Sequence, residues 1–258
     1  MLPRFPTLPR LLPGLLSRGL SGCVSHLLPS HCALCGMACP GVVCPPCRAQ
    51  YAAPRGPCCA RCANPLPAPA TDRSVASAVC GTCLSYPPEY EATIAAVDYA
   101  APLDQLVLQL KFGARLALAP WFADNLVDAV LARPGLALPE LLCPVPLGPG
   151  RLVERGFNQA LEIARPLSKA LGVELHPTLA ARTTETVAQS GSTPSQRAEN
   201  IRGAFAVTDP DRVLGRHVGV VDDVMTSGHT LGELAATFKR FGAARVTNLV
   251  FARTPPHS

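Results

Sequence analysis

Four pairs of cysteines, each pair separated by two residues, stand out in the first third of the sequence. The pairs are Cys32 with Cys35, Cys44 with Cys47, Cys59 with Cys62, and Cys80 with Cys83. This spacing lets both sulfurs of a pair reach one tetrahedral metal ion from a tight turn, and four thiolates leave no coordination position open. The pairs therefore predict structural rather than catalytic zinc, which would let a proline-rich segment with little core fold.

The spacing between the pairs indicates how they combine. Eight residues separate the first two pairs and 17 separate the last two. The simplest arrangement is sequential, with the first two pairs in one zinc site and the last two in another, although the sequence equally allows a cross-braced arrangement. A redox role is the alternative for Cys44-Pro-Pro-Cys47, but it needs a βαβ context that the sequence does not show. Four thiols are left over as ordinary side chains: Cys23, Cys39, Cys58 and Cys143.

A second segment combines adjacent carboxylates with hydroxyls and a glycine. It reads Val218-Gly-Val-Val-Asp222-Asp223-Val-Met-Thr226-Ser227-Gly228-His229-Thr230. We expect an apolar strand with the acidic pair at its carboxyl end, then a short loop, then a helix from about Thr230. A loop that opens a helix presents free backbone N–H groups, which suit a phosphate. Carboxylates beside a phosphate would repel it unless they face a sugar diol or Mg²⁺.

The elements that must position these residues follow an α/β pattern. Strands are predicted over residues 93–99, 141–146, 173–175, 204–208, 218–221 and 245–252. Helices are predicted over residues 103–112, 120–133, 157–171 and 230–241, the third interrupted or kinked near Pro166. Strands that alternate with helices imply a mostly parallel sheet flanked by helices. The polar, aperiodic residues 183–195 are expected to form a mobile loop.

Composition supports a folded protein whose two parts differ. Hydrophobic residues make up 48% of the 258 residues and charged residues 16%, which excludes a disordered charged chain. The net charge of +5 lies wholly in residues 1–90, which hold 15 of the 28 prolines and 11 of the 12 cysteines. Two zinc sites of four thiolates would each add −2 and lower that excess to about +1. Net charge alone is therefore weak support for nucleic-acid binding.

The start of the chain predicts a cytoplasmic protein with a leader. Four prolines interrupt the apolar residues 1–22, so no run approaches the roughly 20 residues of a membrane span, and no export cleavage site follows. We expect a disordered leader that runs into a short apolar helix over residues 15–28. The predicted divisions are 1–27 for leader and helix, 28–90 for a zinc module and 91–258 for the α/β domain. Walker A, GxGxxG, GxSxG and HExxH motifs do not occur.

The segment around Asp222 and Asp223 resembles the fingerprint of type I phosphoribosyltransferases, which bind 5-phosphoribosyl diphosphate. The resemblance implies that the acidic pair holds the ribose hydroxyls and acts in catalysis. It assigns the 5-phosphate to the loop residues Thr226, Ser227, Gly228, His229 and Thr230. Within that loop, Ser227 and His229 are small departures from the family's pattern.

Further motifs are similar to those of the ComF family, whose members join N-terminal cysteine pairs to a phosphoribosyltransferase-like domain. The motifs are Pro144-Val-Pro-Leu147, Arg155-Gly-Phe-Asn-Gln159, Gly203-Ala-Phe205 and, in the polar stretch, Arg182, Thr186, Gln189, Arg197 and Asn200. The similarity spans residues 28–253. It implies a type I phosphoribosyltransferase-like α/β fold with a small double zinc ribbon at the N-terminus.

The resemblance also implies a substrate site and a reaction. A loop over residues 147–151, with Arg151 and Arg155 at or near it, would contact pyrophosphate, and Arg182 and Arg197 would close over the site unless they are ordinary surface arginines. Mg²⁺ would accompany the sugar diphosphate. The implied reaction transfers phosphoribosyl to an unidentified nitrogen acceptor and releases pyrophosphate.

A non-enzymatic reading stands beside it, because the ComF family is associated with DNA uptake in competent bacteria. On that reading the protein binds single-stranded DNA or a DNA translocase. Seven arginines of the first part are the basic residues available for DNA: Arg4, Arg10, Arg18, Arg48, Arg55, Arg61 and Arg73. Few aromatic residues lie among them, so a stacking platform for bases has little support.

Overall fold

The structure is a computed structural model, and it describes residues 30–67, 78–133, 135–183 and 203–255. Three sequence predictions lie outside these residues. They are the leader with its apolar helix, the polar stretch beyond Thr183, and the placement of Arg197.

Short elements organise the cysteine-rich part. Strands β1 (Ser30–His31) and β2 (Ala38–Cys39) form an antiparallel pair. Helix α1 (Pro45–Tyr51) starts directly after Cys44, and α2 (Gly81–Ser85) starts directly after Cys80. The second cysteine pair of each presumed zinc site thus lies at the start of a helix, with its last sulfur inside the first turn.

The remaining residues alternate between strands and helices. In chain order they are β3 (Ala92–Asp98), α3 (Leu103–Phe112), α4 (Leu118–Leu131), β4 (Leu141–Pro144), α5 (Pro149–Arg155), α6 (Gln159–Leu171), β5 (Glu174–Leu175), β6 (Ala180–Arg182), β7 (Phe205–Val207), β8 (His217–Met225), α7 (His229–Arg240) and β9 (Arg245–Arg253). Five of the strands form one parallel sheet in the order β3-β9-β8-β4-β5. Strands β6 and β7 pair antiparallel in a separate two-stranded sheet. The predicted α/β fold class, a parallel sheet flanked by helices, is confirmed.

Side chains of the central strands alternate between two cores because successive residues of a strand point to opposite faces. On one face, Val221 and Phe251 pack with residues of α3, α4 and α6, and the rings of Phe122 and Phe251 stack 3.7 Å apart. On the other face, Val220 and Val250 pack with α7. We call these the α4 face and the α7 face. Both sides of the sheet are buried, as parallel sheets require.

The structure corrects four details of the predicted elements. Strand β8 continues to Met225, because Val224 and Met225 still pair with β9. Helix α6 runs unbroken through Pro166, since its buried residues Ile163 and Leu167 keep the helix packed on the sheet. Residues 149–155, expected as part of a loop, form helix α5 with Pro149 in its first turn, a favourable position for proline. Strand β6 was not predicted.

Candidate functional site

The acidic pair lies inside β8 rather than at its end, which corrects the sequence prediction. Asp222 and Asp223 are followed by Val224 and Met225 within the strand. Because neighbouring side chains of a strand point to opposite faces, the two carboxylates do not face the same way. Asp223 is 2% exposed, whereas Asp222 is only partly buried. The backbone N–H of Asp223 donates to the Asp222 Oδ1 atom at 2.9 Å, which holds that side chain against the backbone.

Two side chains from helices of the α4 face hold Asp223. Lys111 Nζ, on the last turn of α3, lies 2.6 Å from Asp223 Oδ2, and Gln159 Nε2, at the start of α6, donates to Oδ1 at 3.3 Å. Arg155 in turn donates to Gln159 Oε1 at 2.7 Å, and its guanidinium lies 5.2 Å from the centre of the Phe112 ring. A buried carboxylate needs such partners to stay ionised.

Lys111 and the role of Gln159 were missed from the sequence. Lys111 lies more than 100 residues before the acidic pair and matches no motif used above, although it is one of only three lysines in the chain. Gln159 ends the Arg155-Gly-Phe-Asn-Gln159 motif, but nothing in that motif indicates which residue it contacts. Only the packing of α3 and α6 on one sheet face brings both residues to β8.

The surroundings of Asp222 alter its ionisation. Burial, and after it the neighbouring charge of Asp223, raises the pKa of Asp222 well above its usual range, while the Lys111 ammonium partly counteracts both effects. A cation or a diol that interacts with the pair favours the ionised form. Such a ligand therefore displaces a proton when it binds at acidic pH.

The loop after β8 leads directly into helix α7 through a glycine. Thr226 and Ser227 are exposed, and Gly228, at φ +83°, is the N-cap of the 12-residue helix α7. A Cβ at position 228 would lie 2.6 Å from Met225 Cε and 3.3 Å from the Tyr90 hydroxyl, so only glycine fits without movement. His229 is half-buried rather than exposed, and its Nδ1 atom lies 3.1 Å from Ser227 Oγ. Thr230 lies in the first turn of α7.

The predicted arginines that the structure describes, Arg151, Arg155 and Arg182, have different surroundings. Arg151 is exposed on α5, a helix where a loop was predicted. Arg182, at the end of β6, lies over the Phe205 ring with 5.6 Å between the guanidinium and the ring centre. Burial lowers the pKa of Arg182, the charge of Arg151 lowers it further, and Asp222 raises it, so these three groups lie near one another. Arg155 contacts Gln159 instead of opening directly onto the loop.

The eight paired cysteines form two clusters, and both follow the sequential arrangement. Cluster one contains Cys32, Cys35, Cys44 and Cys47, and cluster two contains Cys59, Cys62, Cys80 and Cys83. Within each cluster all four sulfurs lie within 4.8 Å of one another, a geometry that could hold one metal ion such as zinc.

In each cluster, backbone N–H groups donate hydrogen bonds to the sulfur of the first cysteine. Cys32 Sγ accepts the N–H of Cys44 at 3.3 Å, and Cys59 Sγ accepts the N–H of Cys80 at 3.3 Å. Burial alone would raise the pKa of both thiols, but backbone N–H groups lower the pKa of Cys32 to about 6 and that of Cys59 to about 7. Thiolates are the form that binds metal, so both clusters fit a tetrahedral zinc ion.

A cavity of about 890 Å³ lies away from the acidic pair, bordered by the first residues of β3 and β9. Five arginines lie among its lining residues: Arg48, Arg55, Arg61, Arg133 and Arg245. Arg48 pairs with Asp128 at 2.5 Å and Arg55 with Asp98 at 2.6 Å, whereas the other three have no carboxylate partner among the residues that the structure describes. Arginines outnumber the two acids of the lining, Glu91 and Asp128, so this end of the sheet is basic, and alanine is the most frequent residue of its walls.

Comparison with known proteins identifies the family. No family model matches the chain. The DNA utilization protein YhgH of Escherichia coli K12 is 39% identical over 68% of this chain and 78% of its own length. Competence protein F of Haemophilus influenzae is 30% identical over 65% of this chain and 75% of its own. The chain belongs to the ComF family, which confirms the resemblance predicted from its motifs.

Similar solved structures are phosphoribosyltransferases and related enzymes. A glutamine phosphoribosylpyrophosphate amidotransferase from B. subtilis aligns with 53% of this chain and 26% of its own, at 16% identity and a TM-score of 0.33. A hypoxanthine-guanine phosphoribosyl transferase from L. donovani aligns with 52% of this chain and 69% of its own, at 17% identity and a TM-score of 0.31. Scores this low establish nothing about function. Among the described residues, no helix has the length and apolar character needed to cross a membrane.

Proposed function

We propose that the protein binds 5-phosphoribosyl diphosphate together with Mg²⁺ and transfers its phosphoribosyl group to a nitrogen acceptor. One observation carries the proposal. The acidic pair of β8 lies three residues before a glycine-containing loop that opens α7, so carboxylates and free backbone N–H groups occur side by side. A phosphorylated sugar offers both matching groups, since its diol donates hydrogen bonds to carboxylates and its phosphate accepts hydrogen bonds from N–H groups.

The residues then have separate roles. Asp222 and Asp223 hold the ribose hydroxyls, and the loop from Thr226 to Thr230 holds the 5-phosphate through backbone N–H and hydroxyl groups. Lys111 pairs with Asp223 and fixes its position, with 2.6 Å between Nζ and Oδ2. We assign Arg151 and Arg182, whose charges act on each other, to attracting the diphosphate, and Arg155 and Arg197 to supporting the same group.

The donors at the site suit Mg²⁺, which prefers carboxylate and phosphate oxygens. Asp222 offers a partly buried carboxylate whose raised pKa a cation would lower again. When bound, Mg²⁺ would neutralise charge on the leaving diphosphate. The two Cys₄ clusters are assigned one structural zinc ion each.

The reaction breaks the bond between ribose C1 and the diphosphate oxygen and forms a bond between C1 and the acceptor nitrogen. The diphosphate leaves with the electron pair of the broken bond, and the nitrogen loses a proton. Positive charge develops on the sugar in the transition state, and carboxylates beside the ribose stabilise it. We assign this role to Asp222, the more exposed carboxylate, together with Asp223.

Substitution of Asp223 tests this assignment. Asp223→Asn keeps the shape but removes the charge that pairs with Lys111, so affinity for 5-phosphoribosyl diphosphate with Mg²⁺ should fall by about tenfold or more. Asp211→Asn, an exposed acid before the amino end of β8, is the matched control and should bind as wild type does. Calorimetry measures the affinity, and a pyrophosphate-release screen over purines, pyrimidines and small amines measures the transfer. Equal affinities in both variants would contradict the role of Asp223.

A second candidate function is a non-catalytic part in DNA uptake, through single-stranded DNA or a DNA translocase. The names of the relatives, DNA utilization protein and competence protein F, favour it. So do Arg61, Arg133 and Arg245 of the basic cavity, which pair with no carboxylate among the described residues. If DNA binds there, Arg133→Ala should weaken binding of a labelled single strand and reduce the salt dependence by about one phosphate contact. Binding that is unchanged in Arg133→Ala and Arg245→Ala would exclude this surface.

A further inference from the structure

Arg253, the last residue of β9, is a buried arginine bonded to backbone carbonyls. It is 5% exposed, and no carboxylate pairs with it among the described residues. Its Nε donates to the carbonyl of Cys62 at 2.9 Å. Its Nη1 donates to the carbonyl of Met225 at 3.1 Å and to that of Thr226 at 2.5 Å, and it also contacts the Thr254 carbonyl. One side chain thus joins the second Cys cluster to the loop after β8.

The bonds on the loop side fix the direction of the loop's N–H groups. In a trans peptide the carbonyl and the following N–H point in opposite directions. Because the carbonyls of Met225 and Thr226 point at Arg253, the N–H groups of Thr226 and Ser227 point away from it. These two N–H groups belong to the loop proposed to hold the 5-phosphate. A loop without this clamp would have to order its peptides when the ligand binds, which lowers affinity.

The bond on the cluster side fixes the guanidinium itself. Cys62 is one of the four cysteines of cluster two, and its sulfur lies 3.6 Å from that of Cys80. A Cys₄ site that holds zinc carries a net charge of −2, which compensates a buried cation that has no carboxylate partner.

Tyr90 makes a second contact between the same two regions. It is 4% exposed and packs in one hydrophobic core with Cys59, Cys62 and Cys83. Its hydroxyl lies 3.3 Å from the place where a Cβ of residue 228 would be, so it lies directly behind the loop glycine. Cluster two therefore supports the loop through packing as well as through Arg253.

We infer that Arg253 is a positioning residue that anchors the phosphate loop to the second Cys cluster. The inference rests on the proposed function, because it assigns the oriented N–H groups to the 5-phosphate of the sugar. It predicts that substitution of Arg253 lowers the affinity for ligands that carry this phosphate and does not change the affinity for ligands that lack it.

The test uses two probes and two buried arginines. The probes are ribose 5-phosphate, which fills the loop, and pyrophosphate with Mg²⁺, which does not. Arg253→Lys keeps the charge but loses the guanidinium, whose separate N–H groups reach both the loop and Cys62. Arg55→Lys is the matched control, because Arg55 donates to the carbonyl of Ala63 at 2.9 Å and pairs with Asp98 at 2.6 Å, and neither partner belongs to the loop. Calorimetry gives the affinities, and zinc content and melting temperature report on folding.

Arg253→Lys should lower the affinity for ribose 5-phosphate by about tenfold and leave that for pyrophosphate within about twofold, with two zinc ions retained. Arg55→Lys should bind both probes as wild type does. A merely structural role would weaken both probes together, and that result, or unchanged ribose 5-phosphate binding, would overturn the inference while the proposed function stands. If wild-type protein binds neither probe, the proposed function fails and the inference fails with it.

Discussion

The two Cys clusters have the same ligands and the same N–H bonds to sulfur, yet they support different parts of the molecule. Cluster one packs on the α4 face, in the core that includes Leu103 and Leu106 of α3. Cluster two packs on the α7 face with Tyr90 and Met225, and Cys62 bonds to Arg253. Two Cys clusters with the same ligands can therefore stabilise different parts of the protein, because each cluster fixes the side chains that pack against it.

The candidate site divides along the same line. Lys111 and Gln159, which hold Asp223, come from helices of the α4 face. Arg253 and Tyr90, which support the phosphate loop, lie beside cluster two on the other face. Asp223 is therefore held from one side of the sheet, and the loop proposed to bind the 5-phosphate is supported from the other.

The largest expected effect comes from removing one cysteine ligand from each cluster. Cys47 and Cys83 are both buried, and each is the last cysteine of its cluster, inside a short helix. Cys83→Ser and Cys47→Ser should each lose one zinc ion and lower the melting temperature, because structural zinc contributes folding free energy. Only Cys83→Ser should lose ribose 5-phosphate affinity, by about a hundredfold if two charge-assisted bonds to the loop fail.

Zinc content by mass spectrometry and calorimetry at a temperature where both variants are folded would measure this difference. Equal losses of ribose 5-phosphate affinity in the two variants would remove the distinction between the clusters.

How much of this division could be predicted from the sequence depends on the range of each contact. The Cys pairs and the acidic segment are local patterns, so the paired cysteines and the loop before α7 could be predicted from spacing. The choice between sequential and cross-braced clusters needed the folded chain. Helix α3 has the bounds that its periodicity predicted, Leu103–Phe112. The position of Asp222 inside β8 was not predicted, because Val224 and Met225 pair with β9 in a way that only the assembled sheet reveals.

The supporting residues were missed for a related reason. Arg253 lies 191 residues after Cys62 and 28 after Met225. A terminal arginine of an apolar strand resembles an ordinary exposed strand end, and no spacing rule links it to a cysteine pair. Its importance follows from burial and from the direction of three carbonyls, which are properties of the folded chain.

A smaller effect is expected from the loop glycine. Gly228→Val adds a β-branched side chain at φ +83°, a conformation that costs such residues about 1–2 kcal/mol, and it blocks the approach of a phosphate to the backbone. Ribose 5-phosphate affinity should fall by about tenfold or more, and pyrophosphate binding should persist. Gly232→Ala, one turn further along α7 with open space around its Cβ, is the control and should bind normally. Normal ribose 5-phosphate binding by Gly228→Val would show that the loop is not the cradle.

The smallest expected effect is a pH dependence of stability and ligand affinity that arises from Asp222. The pKa of Asp222 is raised, so the free folded protein retains a proton that the unfolded chain releases, and its stability falls as pH rises through that pKa. A ligand that needs the ionised pair binds more tightly as pH rises, by at most about tenfold per pH unit, and the gain ends above the raised pKa. Asp222→Asn should flatten the affinity profile for the diphosphate with Mg²⁺. A wild-type profile without slope would contradict the assignment.

The most direct measurement is calorimetry of the wild-type, zinc-loaded protein with 5-phosphoribosyl diphosphate, with and without Mg²⁺. The site described here predicts saturable binding at one site per chain that strengthens when Mg²⁺ is added and disappears in a combined Asp223→Asn and Gly228→Val variant. The absence of any binding heat at millimolar ligand with Mg²⁺, together with unchanged hydrogen exchange of the Thr226–Thr230 loop, would contradict it.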